Sequence, residues 1–290
     1  MKSRWVLPLL LVPPVAVFAL DAAEQLALRR PLEEAWRPVE AYLEQHPDLL
    51  TFDTRLAEPF AGPEPLLAWA AEGPGERRSP EEDLLGFWGL PLFDENEALQ
   101  VALRTPASAA AAAEAGMLLA EEYRRMGGGL NFVISLFYER CVMDAIDQGR
   151  VSLGRQPLAD RRFRWSDFVR AWVGEAELAR RQVERLASWK RLLMGADADR
   201  ISVQNARLAR VLLEHGDSVE RLRPALLAHL EKEATWRPSS MTRLVHPDLA
   251  PMSRVNFAAW LDRVEGWERE WQALLAGEPL PDFVWPDEGR

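Results

Sequence analysis

From Phe168 onward, residues that mark one face of a helix recur at intervals of three and four, and this spacing fixes most of what the chain can become. Phe168, Trp172 and Ala176 are continued by Ala179, Val183, Leu186, Lys190 and Leu193. Ile201, Asn205, Leu208, Leu212 and His215 form a second series, and Val219, Leu222, Leu226 and His229 a third. Phe257, Trp260, Val264, Trp267, Trp271 and Leu274 form the last. A half-buried strand would bury every second residue, so these series are helical seams. Helices with such seams pack antiparallel at roughly 20°. Gly195–Asp199 and Gly216–Ser218 read as short turns that join neighbours into hairpins. With no convincing alternating strand elsewhere, the predicted class is all-α: an antiparallel helical bundle with an N-terminal signal or anchor segment and Pro-rich loops.

Upstream, the seams are less regular. Pro31 and Pro38 are expected to break an amphipathic stretch over residues 21–45, and a loop-rich segment over 46–80 ends in Glu72-Gly-Pro-Gly-Glu-Arg-Arg-Ser-Pro80. Ser79-Pro80-Glu81-Glu82 has the order of a helix start, with a cap, a first-turn proline and dipole-favoured acids. Asp94 with Glu97 marks a second start, and Thr105-Pro106 opens an Ala-rich helix reaching Met126. Gly127-Gly128-Gly129 reads as a helix end and turn into the next helix near Leu130. No lysine and hydroxyl follow it, as a phosphate-cradling loop would need. The predicted organisation is a signal or anchor over 1–20, a Pro-interrupted region over 21–79, a helical subdomain over 80–155, the bundle over 156–277 and a Pro-rich tail over 278–290.

The first twenty residues suggest an address. Lys2 and Arg4 precede an uncharged run from Trp5 to Leu20, and Val17-Phe18-Ala19 offers small residues at signal-peptidase spacing. Sixteen residues span about 24 Å as a helix, short of the ~30 Å hydrocarbon core. Both a removed export signal and a retained anchor fit, and the cationic start suits either. No cysteine follows the run, which excludes a lipoprotein anchor. The expected location is the periplasm, or the inner membrane facing it, a bacterial envelope being assumed.

A net charge of −10 makes the chain a poor partner for nucleic acid, whose affinity is built on phosphate neutralisation. Cys141 is the sole cysteine, so no internal disulfide forms; it continues the stripe Leu130, Ile134, Phe137 and reads as a buried, inert thiol. Twelve tryptophans are an excess, and most sit on helical seams, where large rings fill gaps between helices.

No nucleophile elbow, zinc-ligand pair, His-Glu-x-x-His or Walker loop is present. His229 and Glu233 lie four apart on one helix face, but hairpin geometry keeps His215 roughly 15 Å away. His46-Pro47 and His246-Pro247 read as loop elements. No catalytic residue, cofactor or metal site is expected. Glu121, Glu122, Glu139 and Asp144 are the acids that a shared groove would need for glycoside cleavage.

Two segments are the candidate partner contacts. One is the apolar, Gly- and Pro-interrupted run Leu84–Phe93, with Phe87, Trp88, Leu90, Leu92 and Phe93; the other is Trp236–Met252, with Trp236, Arg237, Arg243 and His246. The expected function is that of an exported or membrane-anchored helical envelope protein, acting as scaffold, adaptor or assembly factor through contacts with another envelope protein. The alternatives are an exported hydrolase of a cell-wall or other carbohydrate polymer, and a carrier of an apolar ligand.

Overall fold

The computed structural model describes residues 6–57, 60–73, 75–79, 92–152, 157–185, 194–233, 237, 239, 242 and 255–281, with backbone alone over 6–22 and 92–94 and at 57, 157 and 159. In chain order, α1 (Val6–Gln45) precedes β1 (Phe52–Asp53), a 3-10 turn (Thr54–Ala57), α2 (Pro63–Glu72) and β2 (Arg77–Arg78). Then come α3 (Leu92–Arg104), α4 (Ala109–Met126), α5 (Gly129–Asp147), the short α6 (Pro157–Arg161) and α7 (Trp165–Glu184). The order ends with α8 (Ala196–His215), α9 (Val219–Glu233) and α10 (Phe257–Ala276). The fold is all-α, as the seams predict. One large core cluster draws residues from Ala35 in α1 to Leu274 in α10.

The closest helix pairings are α1 with α8, α4 with α5 and α7 with α8, and the α8–α9 hairpin turns at Gly216 as expected. Phe168 sits among the rings of Trp165, Phe132, Trp172 and Phe257, with centroids 5.0 to 6.5 Å away. Each described tryptophan is buried or half-buried, so among the described residues the tryptophan excess serves packing.

Three expectations about local structure are corrected. Pro31 and Pro38 do not break α1, which runs continuously for 40 residues. An interior proline costs about 3 kcal/mol. Trp36 and Val39 are buried on the same face, backed by the partly buried Leu32, Tyr42 and Leu43. Burying a large apolar side chain returns roughly 1.5–3 kcal/mol, so this packing offsets the two breaks. Trp36 also donates Nε1–H to Ser202 Oγ at 3.0 Å, with the Arg180 guanidinium over its ring.

Second, residues 196–199 are the first turn of α8 and not a link, because Gly195 takes the positive φ that turns the chain. Asp197 and Asp199 then lie where the helix dipole favours acids. Third, α4 begins at Ala109 and not at Thr105; residues 105–108 form a turn in which the Ser108 hydroxyl donates to Ala102 O. The proposed helix start at Ser79–Glu82 lies largely outside the described residues.

The region expected to be mostly loop holds α2 and a two-residue antiparallel ladder pairing Phe52 with Arg78 and Asp53 with Arg77. Its anchor is Asp53, fully buried, which accepts from Arg55 Nη2 at 2.7 Å, Gly75 N at 2.9 Å and Trp69 Nε1 at 3.1 Å. Burial pushes this carboxyl up, but Arg55 and the two N–H donors outweigh it and hold it at about 2.

The glycine run makes the corner on which the candidate site rests. Gly127 and Gly128 take φ of +67° and +85°, and Gly128 N–H donates to Ala171 O of α7 at 2.9 Å. A Cβ at Gly127 would lie 3.3 Å from the Gly174 Cα. The corner is therefore a helix end and turn, as its sequence implies, and also the point where α7 crosses at backbone contact.

Candidate functional site

Beside this corner the molecule opens into a cavity of about 730 Å³, lined among the described residues by six arginines and four carboxylates. The last turns of α4 contribute Glu121, Arg124 and Arg125; α6 and the link to α7 contribute Asp160, Arg161, Arg162 and Arg164. The first turns of α7 supply Ser166, Asp167 and Arg170, and Asp48 enters from the loop after α1. On a chain of net charge −10, this is a marked concentration of guanidinium.

Four of the arginines are committed to the fold. Arg170 meets Asp48 at 2.9 Å, and despite partial burial this pairing holds the Asp48 carboxyl below its usual range. Arg125 bridges Glu121 at 2.5 Å and Glu122 at 3.1 Å. Arg161 meets Glu121 from the other side, and its carbonyl accepts from Arg124 Nη2 at 2.5 Å. Arg124 is buried, 3.4 Å from Asp167 and 3.5 Å from Glu139.

Glu139 lies beneath the groove with no exposed surface. It accepts from Phe163 N at 2.6 Å and from Trp267 Nε1 at 3.1 Å, tying α5 to the α6–α7 link and to α10. Burial pushes its carboxyl up to about 7, with Arg124 pulling the other way. The side chain is a staple between elements, held away from solvent.

The remaining two arginines differ. Among the described residues neither Arg162 nor Arg164 has a carboxylate at ion-pair distance. Arg164 Nη2 reaches only the Asp160 carbonyl, at 3.3 Å, while its backbone N–H donates to Asp167 Oδ2 and so caps α7. Both side chains also line a second cavity of about 510 Å³, formed with α9 and α10. A third, of about 220 Å³, meets the first through Glu121, Arg125 and Arg161 and adds Trp69, Ala70 and Leu118. Guanidinium groups fixed at a rim recognise carboxylate or phosphate through paired N–H donors. Among the described residues, Ser166 is the only hydroxyl lining the first cavity, and no histidine or cysteine lines it.

The acids considered for glycoside cleavage are dispersed. Glu121 lines the first cavity, Glu122 lines the third, Glu139 is inside the core and Asp144 pairs with Arg140 at 2.7 Å. Cys141 is buried, accepts from Gln100 Nε2 at 3.0 Å, and is pushed up to about 12 by burial. Among the described residues no group of three His, Cys, Asp or Glu is placed to hold a metal ion. Likewise, no described helix is long and apolar enough to cross a membrane.

Of the sequence-predicted contacts, Phe87, Trp88, Leu90, Trp236, Arg243 and His246 lie outside the described residues. Leu92 and Phe93 fall in the first turn of α3, described by backbone alone, and Arg237 is exposed. The groove itself was not anticipated. Its signal is Arg161-Arg162-Phe163-Arg164, a local cationic run on an acidic chain, which by itself reads as a solvated link. Comparison with family models, with curated proteins and with solved structures finds no match for the chain.

Proposed function

We propose that this chain is an exported or membrane-anchored helical envelope protein that serves as a scaffold, adaptor or assembly factor, gripping another envelope protein at the arginine-lined groove. The observation that carries the reading is the division among the six groove arginines: four are tied into the fold, while Arg162 and Arg164 face two cavities with no carboxylate partner among the described residues. Arginine is enriched at protein interfaces because its planar fork pairs with carboxylates at low entropy cost. Export is supported by the cationic, then apolar, N-terminus.

The test is photocrosslinking in the native envelope from a probe at position 164, followed by mass spectrometry. The reading expects one predominant protein adduct that an R162E substitution depletes. Adducts spread over unrelated proteins, unchanged by R162E, would overturn it. N-terminal sequencing of the mature chain tests the address separately, and an intact Met1 on a cytosolic product would remove the envelope placement.

A further inference from the structure

Phe163 stands between the two rim arginines, and its backbone is where the rim is fastened to the core. Its N–H donates to Glu139 Oε1 at 2.6 Å, and its buried ring meets Phe132 edge-on. On either side of it, the Arg161 carbonyl accepts from Arg124 and the Arg164 N–H donates to Asp167 Oδ2. Arg124 in turn lies 3.4 Å from Asp167 and 3.5 Å from Glu139. Three backbone ties of the link therefore end on one cluster of two acids and a guanidinium.

Two carboxylates that share a single guanidinium leave one negative charge over. Asp167 keeps 17 % of its side chain exposed, so water can solvate its charge, whereas Glu139 has no exposed surface. The cost of ionisation therefore falls on Glu139. Among the described residues, Arg124 from α4 and Asp167 from α7 are the charged groups that face it. The α6–α7 link and α10 meet it with the neutral donors Phe163 N–H and Trp267 Nε1–H. On α10, Arg263 lies over the Trp267 ring and donates to Glu270, which Arg140 of α5 also meets. Glu95 of α3 accepts from Tyr123 and Tyr138.

Burial outweighs Arg124 and pushes the Glu139 carboxyl from 4.5 up to about 7. The closed link thus favours the protonated form, and its advantage, complete below pH 4.5, is lost as the pH rises through about 7. A link that lifts away from Glu139 admits water, which solvates the carboxylate and removes the penalty.

We infer, resting on the adaptor reading above, that Glu139 is a proton-operated latch on the groove: its neutral carboxyl keeps the link closed with Arg162 and Arg164 in place, and its ionisation frees the link and slackens the grip on the partner. A rim already held in one arrangement need not be ordered on binding, so the grip follows the closed fraction.

The experiment uses the full chain. Hydrogen exchange at the Phe163 amide, corrected for its intrinsic pH dependence, reads the link between about pH 5.5 and about pH 8. Photocrosslinking from position 164 in envelope fractions over the same range reads the grip. Phe163 should exchange faster than the amides of α8, and its protection should fall about tenfold or more across the range, since one proton permits up to about tenfold per unit. The predominant adduct should decline with the same midpoint, near 7. Glu139→Gln keeps an acceptor for the Phe163 N–H but has no proton to lose, so both profiles should be flat. Asp167→Asn keeps an acceptor for the Arg164 N–H and removes the opposing charge, so both midpoints should move to lower pH. Circular dichroism of each variant confirms that it is folded. Phe163 exchange only at the rate of α8, an adduct of constant yield across the range, or Glu139→Gln profiles that match the unsubstituted chain would overturn the latch and leave the adaptor reading standing. Absence of an adduct at every pH removes that reading, and the latch with it.

Discussion

The floor and the rim of the groove use the same side chain for opposite ends. At the floor, Arg124 is buried between Glu139 and Asp167 and reaches the Arg161 carbonyl. At the rim, Arg162 and Arg164 line two cavities together with seven carboxylates, none of which, among the described residues, lies at ion-pair distance from either guanidinium. The contrast shows that an arginine count says little about binding. Charge already matched by a neighbouring acid holds elements together; on the proposed reading, only the unmatched remainder meets a partner.

The largest effect that would sharpen this contrast is at the floor. Arg124→Ala leaves Glu139 and Asp167 without their shared cation, and breaking a buried pair from one side costs about 3–5 kcal/mol. Urea unfolding followed by tryptophan fluorescence measures it. A loss below about 1 kcal/mol would place Arg124 with the rim.

Next in size is the pH response of the floor. Glu139 has its carboxyl raised from 4.5 to about 7 in the folded chain, so between those values the native state holds a proton that the unfolded state has released. Stability from this group is complete below pH 4.5 and is lost as the pH rises through about 7. At 1.36 kcal/mol per unit the change is about 3 kcal/mol, and Glu139→Gln should flatten it. Asp53 runs the other way: held at about 2, it contributes stability above pH 3.8 that is lost as the pH falls through about 2, an effect of about 2 kcal/mol. The two opposite slopes follow from what surrounds each carboxylate. Both carboxylates accept from N–H donors, but Asp53 also meets a guanidinium at 2.7 Å, while the Arg124 guanidinium stands 3.5 Å from the fully buried Glu139.

The smallest effect is at the rim. R162A/R164A should change unfolding free energy by less than about 0.5 kcal/mol. A greater loss would mean that these side chains also hold the fold.

Much of the fold was legible in the sequence, and most of the site was not. The last seam, Phe257 to Leu274, reads correctly because each of its residues must be buried for a surface helix to pack, and all six are. The glycine corner was legible as a turn, since positive φ is a local demand. Its second role, close approach to Gly174, depends on where α7 crosses and leaves no local mark. Pro31 and Pro38 mislead for the same reason: the breaking rule is local, and the burial of Trp36 that overrides it is set by α8. The groove assembles from the end of α4 and the stretch running from α6 into α7, some 40 positions apart, with Asp48 added from the loop after α1. No window of sequence displays that meeting. Nor does the sequence tell Arg124 from Arg162, because the difference lies in which acids come near.

The claim that rim arginines recognise while floor arginines hold is tested most directly by reversing the rim alone. Photocrosslinking of R162E from a probe at position 164, run beside the urea unfolding curve of R162E, gives both readouts. The account predicts that the predominant protein adduct is lost at an unchanged unfolding midpoint. A variant that keeps the adduct, or loses it only by unfolding, would contradict it.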